Sequence, residues 1–159
     1  MDTSLLEAEK ADDYETCKIM MNLGSAFFIK QENGSMEFIR ARLRKRGVWS
    51  NIEFWAYVLK DDIKQYHLNK DPEPEDVYIV KEKQQMDLAN TIFGLIVNIA
   101  YSMVNMAIQG NVIMFFVHRM CDEYHLSDEH AQTLKKMIDK MCNFCVDSPQ
   151  PDVSASSES

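Results

Sequence analysis

The chain has 159 residues, enough for one domain with a sizeable core, and 46% of them are hydrophobic. Its net charge of −8 argues against nucleic acid as a partner, because phosphate binding rests on clustered lysine and arginine. The acidic N-terminus MDTSLLEAEKADD lacks the parts of a signal peptide, and four unevenly spread cysteines form no disulfide framework; both point to the cytoplasm.

Ser4-x-x-Glu7 has the capping-box form and predicts a helix start. Leu5, Ala8, Ala11, Tyr14, Ile19, Leu23 and Phe27 trace an apolar band from there, which ends before the stop signal Gln31-Glu32-Asn33-Gly34. Strand signatures are nearly absent, and the segments around Asn33-Gly34 have helical rather than alternating spacing. Ser35 therefore opens the next predicted helix, with Phe38, Ile39 and Leu43 on its apolar side. Arg40, Arg42, Arg44, Lys45 and Arg46 put five positive charges in seven positions near its end. Such charges suit a helix C-terminus through the dipole; they equally suit an acidic partner or a lipid headgroup at a membrane periphery. Gly47 closes this segment. Ser50-x-x-Glu53 is a second capping box, and Trp49, Phe54, Trp55, Val58, Leu59 and Ile63 load the helix after it with core anchors.

Residues 67–80, HLNKDPEPEDVYIV, cannot continue a helix through two prolines and read as a surface loop. Residues 88–117 then carry no charge. Leu88, Ile92, Leu95, Ile99, Met103 and Met106 keep helical spacing, and Gln109-Gly110-Asn111 divides the run into two helices. Its length would cross a bilayer, but Asn90, Asn98 and Asn105 and the break favour buried helices inside a helical domain. His125-Leu126-Ser127-Asp128 is a turn and N-cap. Ala131, Leu134, Met137, Ile138 and Met141 form one face of a last helix. Residues 147–159, Ser- and Pro-rich, are expected to be a disordered tail in which Ser148-Pro149 would suit a proline-directed kinase.

The chemistry these elements could carry is sparse. His118, Cys121, His125, Cys142 and Cys145 have spacing that two antiparallel helices could bring together on zinc, yet free cysteine is also a common core residue. There is no nucleophile elbow, phosphate-cradling glycine loop or other cofactor motif. Eleven methionines offer two readings. Met20, Met21, Met103, Met106, Met114, Met120, Met137 and Met141 either fill the core or line an adaptable groove, Met103 and Met106 foremost.

Three segments, CKIMMNL, VWSNIEFW and NTIFGLIVNIAYSM, resemble in order and spacing the helical C-terminal module of MADD-type DENN Rab regulators and of their small cytoplasmic relatives. The resemblance covers about residues 14–141 and implies an intracellular scaffold or adaptor in membrane traffic or signalling. It carries over no exchange activity, since the chain has no room for a DENN catalytic domain, and no functional residue.

The expected fold is all-α: a single domain over residues 1–146, a bundle of about six helices around a buried apolar central helix. The expected function is non-enzymatic binding of another protein, through Arg40, Arg42, Arg44, Lys45 and Arg46 and a groove beside Met103 and Met106. A bundle of the Bcl-2 type, taking an amphipathic partner helix in an apolar groove, is the alternative. An enzyme is a third reading.

Overall fold

Helix ends, rather than helix faces, decide how this chain folds back on itself. The computed structural model describes residues 2–68 and 80–146; the expected tail at 147–159 and nearly all of the 67–80 loop lie outside them. In chain order these residues form α1 (Asp2–Lys10), α2 (Tyr14–Ala26), β1 (Phe28–Lys30), β2 (Met36–Phe38), α3 (Ile39–Leu43), a 3-10 turn (Gly47–Ser50), α4 (Ile52–Leu68), α5 (Val80–Asn105), α6 (Gly110–Glu123) and α7 (Asp128–Val146). The fold is an all-α bundle with one small hairpin.

The first predicted helix is two. After α1 the backbone turns left-handed at Asp12 (φ 51°), and the amide of Asp13 reaches back to the Ala8 carbonyl at 2.9 Å. Asp13 then caps α2, accepting from the Thr16 amide at 3.0 Å. Ser4, inside α1, is not a cap. Two more helices close in the same way. Ala107 (φ 59°) ends α5, with Ile108 N–H donating to Met103, and His125 (φ 50°) ends α6, with Leu126 N–H donating to Cys121. This six-to-one bond satisfies carbonyls that a helix end leaves orphaned, and glycine is its usual pivot. Alanine at Ala107 is strained in that conformation. Ala107→Gly is therefore expected to stabilise the fold by about 0.5–1 kcal/mol, the relief of strain exceeding glycine's unfolded-state entropy. Urea midpoints of the two proteins check this.

The centre of the core is aromatic. Trp49, Phe54 and Trp55 are fully buried, with rings 5.3 Å and 5.0 Å apart in edge-to-face pairs. Each indole finds an acceptor: Trp49 Nε1 donates to the Leu43 carbonyl at 2.6 Å and Trp55 Nε1 to the Trp49 carbonyl at 2.7 Å. Asn51, rather than Ser50, caps α4 by accepting from the Glu53 amide at 2.9 Å. Glu53 instead pairs with Arg119 on α6.

α5 packs against α4, α6 and α7, burying Ile92, Ile96, Ile99, Ala100 and Met103. Asn98 and Tyr101 are exposed, so the central helix is covered along a stripe rather than all round. Among the described residues it is the one helix, over Met86–Asn105, long and apolar enough to cross a bilayer. On α7, Leu134 and Ile138 are buried while Met137 turns outward.

One ionic tie joins α2 to α4. Lys18 Nζ donates to Asp61 at 2.8 Å and to Asp62 at 2.5 Å. Burial alone would lower the Lys18 pKa, but its two carboxylate partners outweigh burial and the net shift is upward. The Lys18 hydrogen bond holds the Asp61 carboxyl below the usual carboxylate range, against burial. The contribution of Asp61 is complete above its unfolded value of about 3.9 and is lost as pH falls through its lower folded value. That of Lys18 is complete below its unfolded value and lost as pH rises through the raised one. Lys18→Met is expected to cost about 1–2 kcal/mol at neutral pH. Denaturation across the pH range should show that gap narrowing below about pH 4, as Asp61 protonates.

Candidate functional site

The hairpin begins where α2 runs out. Asn33-Gly34 sits in its loop: Gly34 takes φ 83°, and the Asn33 side chain accepts from the Ser35 amide at 3.0 Å. Phe28 pairs with Phe38, Ile29 with Glu37 and Lys30 with Met36. The predicted helix start at Ser35 is thus a turn, and helix resumes only at Ile39. The three-residue strands offer too little length for the alternation that reveals a strand in sequence.

These strands are unusual in what they expose. Phe28 is 53% exposed, Met36 57% and Phe38 45%. The two phenylalanines meet edge-to-face at 6.3 Å, and Arg40 lies over the Phe38 ring at 5.0 Å. Ile19, Leu23 and Phe27, four residues apart and so on one side of α2, are exposed as well. Scattered exposed apolar residues are ordinary, whereas a cluster of this kind is a candidate interaction surface.

Beside it lie the five predicted cations, now with different roles. α3 is short, so Arg44, Lys45 and Arg46 fall beyond its end. Arg42 pairs loosely with Glu37 at 3.5 Å. Arg44 Nε donates to the Asn105 carbonyl at 3.0 Å, where a cation suits the C-terminus of α5. Arg46 is half-buried and has a contact of its own. Lys45 is exposed. Residues 28–46 hold six basic and two acidic side chains in a chain of net charge −8, so this stretch is locally positive.

The predicted groove beside Met103 and Met106 does not form as a partner surface. Met103 is 0% exposed and Met106 2%, because Met103 on the inner stripe of α5 and Met106 just past its end both point into the core. Met106 is reached only as the floor of a cleft of about 230 Å³, lined also by Met21, Asn22, Ser25, Arg40, Tyr101 and others of α2, α3 and α5. Gly24 lets α3 approach α2 there: a Cβ on it would lie 2.9 Å from Leu43 Cδ1 and 3.3 Å from the Arg40 amide nitrogen.

Among the described residues the zinc candidates His118, Cys121 and His125 do not form a metal site. His118 and His125 are exposed while Cys121 is buried, and among the described residues no group of three or more His, Cys, Asp or Glu is placed to hold a metal. The side chains of Cys142 and Cys145 lie outside those residues. Cys17 is fully buried; burial, then the nearby Asp13, Glu9 and Asp12, push its thiol up to about 11. A thiol so protonated is a poor nucleophile at neutral pH.

Sequence reasoning missed the exposed phenylalanines and the cleft walls. Asn33-Gly34 between Phe28-Ile29-Lys30 and Met36-Glu37-Phe38 was the available hairpin signal; nothing in the spacing of Asn22, Ser25 and Tyr101 announced that they share a cleft. No family model, curated protein or solved structure matches this chain.

Proposed function

We propose that this domain is a non-enzymatic protein-interaction module, a scaffold or adaptor, that docks an acidic partner segment on the face formed by the β1–β2 hairpin and α3. The observation that carries the reading is the joining of exposed Phe28, Met36 and Phe38 to six cations in an otherwise acidic chain. Apolar side chains supply contact area at such a face, and the surrounding charge sets on-rate and partner choice. The resemblance to the helical module of the DENN Rab regulators agrees with a cytoplasmic role in signalling or vesicle traffic.

Reversing Arg42, Arg44 and Lys45 to Glu tests this. All three are exposed and lose only a loose pair with Glu37 and one bond to the Asn105 carbonyl, so the melting temperature is expected to move by only a few degrees. Capture of the partner from cell lysate is expected to fall about tenfold or more, since three repulsive charges replace three attractive ones. Unchanged capture would overturn the reading.

A further inference from the structure

The hairpin leaves one edge open. Its ladder follows from the bonds at its two ends, where the Ile39 amide donates to the Phe27 carbonyl and the Gln31 amide to the Ser35 carbonyl. Between those bonds Phe28 lies opposite Phe38, Ile29 opposite Glu37 and Lys30 opposite Met36. Hydrogen-bonded and non-bonded pairs alternate along an antiparallel ladder. Ile29 and Glu37 are therefore a bonded pair, and the backbone N–H and C=O groups of Phe28 and Lys30 point away from β2. Neither of those two amides donates to any group among the described residues. β2 packs on α2 and α3, whereas β1 is exposed along its whole length. A row of unpaired backbone groups is a template for another strand. Two strands of three residues are marginal alone, and added strands with an apolar face are what stabilise a sheet.

The register selects which strand fits. Outward-pointing residues must pair with outward-pointing residues. Against β1 of a second copy, Phe28 on Phe28 would place Lys30 opposite Ala26, which is in α2. Lys30 on Lys30 would oppose like charges. The remaining antiparallel register, Phe28 on Lys30, makes a bonded pair on each side of a two-fold axis at Ile29. Ile29 then meets Ile29 on one face of the sheet. On the other face Lys30 lies against the ring of the second copy's Phe28, a cation–π contact, and no like charges are opposed. The β2 edge has no such solution: Met36 on Phe38 would set Glu37 directly against Glu37.

We propose that the chain self-associates through β1, antiparallel about a two-fold axis at Ile29, into a sheet that runs β2–β1–β1–β2 across two molecules. The interface is isologous and closes on itself, so it gives a dimer and not a fibre. So short a pairing makes that dimer weak and reversible. It joins the Phe28, Met36 and Phe38 faces of both copies, and it is separate from the docking reading, which does not need it.

Sedimentation equilibrium of the whole chain tests this. The mean mass is expected to rise from 18.5 kDa toward twice that value as concentration goes from about 10 µM to about 1 mM, the range of weak contacts. Ile29→Glu and Ile29→Lys, each alone, should associate about tenfold more weakly, because like charges then meet at the axis. An equimolar mixture of the two should regain association, which only a register placing position 29 on itself predicts. Lys30→Pro should also weaken association about tenfold, since it removes an outward amide that the β2 ladder does not use. A mass that stays at 18.5 kDa at about 1 mM would overturn the proposal. Association that neither charge variant weakens would overturn it too, and so would a mixture no stronger than its parts.

Discussion

Replacing Trp49 by alanine is expected to destabilise the domain by about 3–5 kcal/mol, a large part of the roughly 5–15 kcal/mol that holds a typical domain together. The indole is fully buried and meets the Phe54 ring at 5.3 Å, so truncation opens a cavity that the neighbouring rings cannot close. A second loss adds to the first. Trp49 Nε1 donates to the carbonyl of Leu43, the last residue of α3, and that acceptor would be left with the longer bond from the Arg46 amide alone. Trp49→Phe separates the two effects, keeping most of the ring and removing the N–H; it should cost about 1–3 kcal/mol. Urea unfolding with an unchanged slope is the measurement. A loss below about 1 kcal/mol for Trp49→Ala would mean that the aromatic cluster is not the centre of the core.

Gly24→Val carries the second large effect and links packing to binding. A single Cβ at position 24 already crowds Leu43 and the Arg40 backbone, and valine adds two further methyl groups against the same wall. Overpacking of this kind costs about 1–3 kcal/mol, whereas Gly24→Ala gains up to about 1 kcal/mol of helix propensity that offsets its milder crowding. Gly24→Ala is therefore expected to be nearly neutral and Gly24→Val clearly destabilising in urea. Because Arg40 is part of the wall that must give, Gly24→Val should also weaken partner capture without changing any charge. Normal capture together with lost stability would show that the seat of α3 on α2 does not matter for docking.

The all-α class, the aromatic core and the start of the last helix were legible because each follows from strong local signals. Trp49, Phe54 and Trp55 are too large and apolar to leave in water, and Ser127 caps α7 as its position suggests, accepting from the His130 amide at 3.3 Å. Helix ends were harder. Asp12, Ala107 and His125 carry no glycine signature, so the break between α1 and α2 passed unseen, and the one after α5 was placed at Gln109-Gly110-Asn111 rather than at Ala107. What makes them pivots is a tertiary demand for tight reversals, which overrides local preference. The hairpin was hidden for a related reason: its strands have three residues each.

At the candidate site the sequence showed charge but not its use. Five cations in seven positions stood out, yet only coordinates separate Arg44, which satisfies the end of α5, from Arg40, whose Nε is buried and unpaired. Met103 and Met106 were legible as inward-facing helix positions and were correct as core; the groove built on them required an open flank that the packing of α5 does not leave.

Amide hydrogen exchange of the domain, alone and with the partner recovered by capture, tests the docking face most directly. The account predicts slowed exchange across Phe28–Lys30, Met36–Phe38 and Ile39–Leu43, with α6 and α7 unchanged. Protection confined to α6 and α7, with the hairpin exchanging as fast as in the free protein, would contradict it.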